Sequence, residues 1–180
     1  MKPSNVLILP GWQGSGPRHW QSLWQQRHGY TRVEQHDWHS PLRGDWLIQL
    51  EESLLSHDEQ VVLVAHDLGC ILAAAWSAQS AHAQRVKAAL LVAPCDVERQ
   101  DIRDRLPTWS PIEVGWLPFP SVLLASRNDA YCSFDRARFF AQSWGSQFMD
   151  YGDCGHINAD SSLASWPEGH VLLQDLMKDR

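Results

Sequence analysis

Six short apolar runs rich in Val, Leu and Ile recur along this chain, at residues 6–9, 32–36, 61–65, 88–93, 122–126 and 147–151. Stretches with helical period or composition lie between them, at about 18–28, 45–57, 68–80, 134–144 and 170–178. Runs of this length and composition read as buried strands. Strand alternating with helix folds as an α/β sheet that is largely parallel. The run VVLVA at 61–65 is apolar without a break, as a strand covered on both faces must be. A length of 180 residues fits one domain, 1–180, with one sheet. Only the stretch 94–120 breaks the alternation. It carries Pro107, Pro111, Pro118 and Pro120 together with Trp109 and Trp116. Such an excursion between parallel strands is either a functional loop or small lid, or an ordered surface crossover.

Composition removes several classes of function. The net charge is −6, which argues against the basic patch that nucleic acid requires. The cysteines Cys70, Cys95, Cys132 and Cys154 are far apart in sequence and form no C-x-x-C pair, so neither a disulfide framework nor a zinc ribbon is expected. The N-terminal apolar run ends at Pro10, too short for a signal-peptide core, and no stretch approaches a membrane span. A cytoplasmic location with no membrane partner is the expectation. Ten residues are Trp and three are Tyr. Indoles are rarely fully buried, so several are expected to line a groove.

In open α/β sheets, sites form beyond the carboxyl ends of the strands. The third strand runs into Ala65-His66-Asp67-Leu68-Gly69 and then the small-residue helix CILAAAWSA. This has the position and spacing of a G-x-S-x-G nucleophile elbow, with Asp67 at the nucleophile position. The fifth strand is followed by Ser126-Arg127-Asn128-Asp129, and the sixth by a Gly-rich loop holding His156. Nucleophile, acid and His occur in hydrolase order, each after a strand. Alone, an Asp after a strand is usually a helix cap; three such residues in order carry far more weight. The loop Pro10-Gly11-Trp12-Gln13-Gly14-Ser15-Gly16 follows the first strand. It could supply backbone N–H groups of Trp12 and Gln13 to an oxyanion hole, with Leu68 as a further donor. Phosphate cradling is the rival, but neither G-x-x-x-x-G-K-[ST] nor G-x-G-x-x-G with its ribose acid is present. Gly11, His19, His66, Trp109 and Trp116 are the candidate pocket residues.

These motifs resemble the small α/β-hydrolases grouped with retinoblastoma-binding protein 9 and the bacterial YdeN proteins. The resemblance rests on LPGWQGSGPRHWQSLW at 9–24, the groups Asp37-Trp38 and Gly44-Asp45-Trp46, VLVAHDLGC at 62–70 and LLVAPCDVE at 90–98. It continues through PSVLLASRNDAYCSF at 120–134, WGS at 144–146 and GHINADSSLASWPEG at 155–169. It therefore covers essentially the whole chain. It implies a three-layer α/β/α sandwich with a mostly parallel six-stranded sheet, a minimal hydrolase fold with little or no cap. It also implies a serine hydrolase of small esters needing no cofactor, with a triad falling on Asp67, Asp129 and His156. The family carries Ser where this chain has Asp67.

That departure leaves three alternatives open. An activated Ser forms an ordinary acyl ester, whereas a carboxylate attacking the same carbon forms a high-energy anhydride. A carboxylate suits a saturated carbon bearing a halide or epoxide oxygen, as in dehalogenases and epoxide hydrolases of this fold. Otherwise Asp67 aims water as a base, or marks a disabled hydrolase, natural or engineered, that binds a small ligand or a protein partner. Among other residues, His36 and His39 could bind a metal but lack a third ligand, so no metal is expected. Cys70 and Cys154 read as buried thiols. His170 reads as solvent-facing on the last helix.

Overall fold

The computed structural model describes residues 1–178; residues 179 and 180 of the expected domain lie outside the described residues. The strands are β1 (Val6–Leu9), β2 (Thr31–Arg32), β3 (Val61–His66), β4 (Val86–Val92), β5 (Ser121–Ala125) and β6 (Gln147–Asp150). The helices are α1 (Trp20–His28), α2 (Arg43–Leu55), α3 (Leu68–Ser77), α4 (Gln100–Arg103), α5 (Phe134–Trp144) and α6 (Pro167–Met177). The strands form one six-stranded sheet in the order β2-β1-β3-β4-β5-β6. Every pairing is parallel, so the expected "mostly parallel" sheet is wholly so. This is a small α/β-hydrolase fold.

Side-chain alternation divides each central strand between two cores. Leu7, Leu9, Leu63, Leu91 and Leu123 face one side, where Trp46, Leu50 and Leu54 of α2, Ile71 of α3 and Phe140 of α5 cover them. Val6, Ile8, Val64, Leu90 and Leu124 face the other, against Trp20 and Trp24 of α1 and Leu173 of α6. Burial on both faces is what the unbroken apolar runs require. α3 is the extreme case, with every residue from Leu68 to Trp76 buried.

Two boundaries differ instructively from expectation. β2 spans two residues rather than 32–36, although the Val33 N–H still donates to the Ile8 carbonyl. It is an edge strand, and the chain then leaves the sheet to form the 36–40 loop. The 94–120 excursion is mostly ordered crossover, with α4 as its one α-helix.

The tryptophans do something other than line a groove. Trp20, Trp24, Trp46, Trp109, Trp144 and Trp166 are among the largest fully buried side chains. The indole N–H groups of Trp12, Trp20, Trp24, Trp46, Trp109 and Trp144 each donate to a loop carbonyl: those of His39, Ile157, Ser165, Asp37, Pro41 and Glu113 respectively. Five of these rings fill a core and tie down a loop with the same side chain, while that of Trp12 is only partly buried. Trp46→Ala should therefore cost about 3–5 kcal/mol in urea unfolding, since it empties a core site and frees the Asp37 carbonyl. Trp116, 81% exposed, should cost under about 1 kcal/mol when truncated to Ala. Equal losses at the two sites would contradict this division of labour.

Candidate active site

The site lies at the carboxyl ends of β1, β3, β5 and β6. Asp67 occupies the turn between β3 and α3, with φ 53° and ψ −120°. A non-glycine residue in this region is strained. The turn is held by the Asp67 N–H donating to the Val92 carbonyl and by the Asp67 carbonyl capping Cys70 N–H. Two glycines make it possible. A Cβ on Gly69 would lie 2.3 Å from the Leu9 carbonyl oxygen, and one on Gly11 would lie 2.3 Å from Asp67 Oδ2.

The Asp67 carboxylate divides its oxygens. Oδ2 accepts a 2.8 Å hydrogen bond from the Trp12 backbone N–H, and the Leu68 N–H also donates to the carboxylate. Oδ1 lies 3.3 Å from His156 Nε2. On the far side of the imidazole, Nδ1 donates to Asp129 Oδ2 at 2.9 Å and Oδ1 at 3.0 Å. Asp129 is aimed in part by accepting from Tyr131 N–H. The three expected residues are therefore brought into one line, Asp67–His156–Asp129.

The loop carrying His156 is fixed at several points. His66 Nε2 donates to the His156 carbonyl and Trp20 Nε1 to the next carbonyl, that of Ile157. Ser126 Oγ and Asn128 Oδ1 accept from Cys154 and Gly155 N–H, lacing the loops after β5 and β6 together. Asn158 and Ser161 close the loop with a capping box.

Electrostatics follow from this geometry. Burial alone would lower the His156 pKa, but the hydrogen bonds and charges of Asp129 and Asp67 raise it to about 9. Burial would likewise raise Asp67, yet the His156 hydrogen bond and charge, with His66 and the Leu68 N–H, bring it down to about 2. At neutral pH the line is anion–cation–anion. His66 is lowered to about 4, first by burial and then by the His156 charge, so it stays neutral. His19 falls to about 2 for the same two kinds of reason, burial and then the nearby histidines. Its Nδ1 accepts from Gln21 N–H, and its Nε2 has no partner among the described residues.

A cleft of about 320 Å³ opens over this line, and Gly11, Trp12, Gln13, His19, His66, Asp67 and His156 all line it. Five expectations need correction. The Gln13 N–H donates to the Trp38 carbonyl at 2.9 Å, so it is unavailable to an anion in the cleft. Trp109 is wholly buried against Trp46, away from the cleft. Trp116 lies on the surface over Gly145. Among the described residues, Trp12 is the one indole in the cleft wall. His170 is not solvent-facing: its ring stacks on His28 at 4.0 Å and its Nε2 bonds the Tyr30 hydroxyl. Cys70 is buried as expected, whereas Cys154 is only partly so. His36 bonds Gln49, and among the described residues no metal-binding cluster forms.

Several cleft residues escaped the sequence. Tyr131 stands with its ring 4.6 Å from that of His156. Ile102, Arg105 and Leu106 reach the cleft from the crossover and supply a cap-like wall. Their signal was present in the stretch 94–120, but the prolines and tryptophans drew attention to its other half.

A family model for serine hydrolases matches residues 6–175. The chain belongs to that family. This family member superposes on a structure described as a YdeN-like hydrolase from Pectobacterium atrosepticum with a TM-score of 0.84. The two are 30% identical, over 95% of this chain and 89% of the other. The B. subtilis ydeN gene product gives a TM-score of 0.77 at 19% identity, over 97% and 98% of the two chains. Est1E from Butyrivibrio proteoclasticus, in a structure with ferulic acid bound, gives 0.73 at 11% identity, over 96% and 89%. The last two establish likeness of fold alone. No curated protein matches the sequence. Among the described residues, no helix is long and apolar enough to cross a membrane.

The charge assignment has a direct consequence for pH. His156 is raised above its ordinary 6.5, so its contribution to stability is complete below that value and lost as pH climbs through about 9. Asp67 is depressed below 3.8, so its contribution is complete above that value and lost as pH falls through about 2. In an NMR titration the His156 imidazole should titrate near pH 9, and Asp67→Asn should move that midpoint down. A midpoint near 6.5 in the unaltered protein would contradict the ion-paired line.

Proposed function

We propose that this serine-hydrolase-family protein hydrolyses small ester-class molecules at Asp67, His156 and Asp129. In this reading Asp67 stands where the family carries its nucleophilic serine. The observation that carries the proposal is the continuous line from Asp129 through His156 to Asp67, ending on the Trp12 amide. Asp129 orients the imidazole, His156 moves the proton, and the Trp12 and Leu68 N–H groups receive developing negative charge. The small cleft fits a ligand the size of a short-chain ester. Est1E, with its bound ferulic acid, supports a small organic acid as the kind of group such a cleft accepts.

The carboxylate slows an acyl route in two ways. Asp67 Oδ2 already occupies the Trp12 donor, so an ester carbonyl must displace it. Two flanking carboxylates also keep His156 protonated at neutral pH, and an imidazolium has no lone pair with which to take a proton. Ester turnover by this chain at pH 7 is therefore slow. Asp67→Ser removes both obstacles at once. It should raise kcat/KM on p-nitrophenyl acetate by about 10²-fold or more, the scale of general-base and oxyanion contributions. No increase in a folded variant would overturn the assignment of Asp67 to the nucleophile position.

A second route is favoured by the division of the Asp67 oxygens. Oδ1 could attack a saturated carbon, the bond to the leaving group breaking with its electron pair. The alkyl ester so formed would have its carbonyl oxygen, Oδ2, already at the Trp12 amide. Esterified Asp67 is neutral, which removes one of the two charges holding the proton on His156; the Nε2 proton passes to the leaving group or to solvent, and the neutral imidazole then activates water for attack at Cγ. Single turnover in heavy-oxygen water separates the routes. Label in the peptide containing Asp67 establishes the alkyl ester, and turnover without that label excludes it.

A further inference from the structure

The crossover that walls the cleft brings a cation to its mouth. Arg105 is exposed and lines the cleft, with its guanidinium carbon 4.2 Å from the centre of the Trp12 ring. Trp12 is itself fixed, since its indole N–H donates to the His39 carbonyl and its backbone N–H to Asp67 Oδ2. One residue thus carries both the amide that faces the reacting centre and the platform under the guanidinium.

All but one of the neighbouring acids are committed elsewhere. Asp96 and Glu98 pair with Arg136, Asp101 with Arg99, and Glu113 with Arg43. Asp104, next in sequence, makes no ion pair with Arg105 among the described residues. Within the cleft the one carboxylate is Asp67, which is engaged by His156 and the Trp12 amide. Arg105 therefore stands over the cleft with no carboxylate partner among the described residues. Stacking uses the face of a guanidinium and leaves its edge donors free, a fork that matches a carboxylate in two parallel hydrogen bonds. Leu106 and Ile102 of the same segment also line the cleft and add apolar wall to it.

We propose that Arg105 is a specificity residue that grips a carboxylate on the substrate, so that the preferred ligand is a short, singly charged acid ester, its ester end at Asp67 and its free acid end at the mouth. The proposal rests on the hydrolase reading for the identity of the ester end. The carboxylate grip stands on the Arg105 geometry alone. A substrate of this kind is released as a dicarboxylic acid.

Monomethyl adipate and dimethyl adipate differ only in whether the far end is charged. Calorimetric binding to the unaltered protein should favour the monoester by about 10-fold, with the preference shrinking as salt is raised. Arg105→Gln should abolish that preference by weakening the monoester alone, and Arg105→Lys should retain part of it. Where turnover is measurable by proton release, the Arg105→Gln loss should fall on KM rather than kcat. Equal binding of the two esters to the unaltered protein would overturn the proposal. So would an equal loss of both in Arg105→Gln, which would show Arg105 to be only a prop for Trp12. Preferential binding with no ester cleavage by this chain or by its Asp67→Ser variant would sustain the carboxylate grip while removing the hydrolase reading, so the two claims fail separately.

Discussion

His156 lies between two carboxylates, and the walls of the cleft exist to keep it there. Its Nδ1 is claimed by Asp129 and its Nε2 by Asp67. A buried cation with one anion on each side is stable only if the geometry is held closely, because losing either partner leaves an uncompensated charge. The constraint explains the density of supports around it. His66 and Trp20 hold successive carbonyls of the loop, and Ser126 and Asn128 hold successive amides. Gly11 and Gly69 clear the space in which the Asp67 turn can form.

The same economy runs through the rest of the molecule. A chain this small has little core to spare for its loops. Half of its tryptophans serve both needs, the ring filling a core layer while the N–H satisfies a loop carbonyl. Trp20 links the two scales directly, since its ring packs with Trp24 and Trp166 and its N–H reaches the residue after His156. Stability and site geometry are therefore not separable in this fold.

Much of this was legible in the sequence, for definite reasons. The sheet followed from apolar runs too long and too uniform for a one-sided strand. That Asp67, Asp129 and His156 meet in space followed from their being the polar residues just past the carboxyl ends of strands in hydrolase order, a constraint of topology rather than of local propensity. What failed turned on direction. The direction in which the Gln13 N–H points is decided by a positive φ of 67°, which no spacing reveals. Trp109 was placed in the pocket for its position in the crossover, but an indole that can satisfy its N–H at Pro41 gains more from the core than from the cleft. His170 was read as exposed because the partner that stacks on it, His28, lies at the end of a different helix. Arg105 has no signature in the sequence, because a lone arginine in a charged stretch is distinguished only by the ring it lies over and the cleft it lines.

The central claim is that the Asp67 carboxylate fills the amide donors and leaves His156 doubly protonated at neutral pH. Neutron diffraction from crystals grown at pH 7 tests it most directly, since it shows hydrogen positions. The account predicts deuterium on both His156 nitrogens, with Asp67 Oδ2 on the Trp12 amide. A bare Nε2, or an Asp67 side chain turned away from that amide, would contradict it.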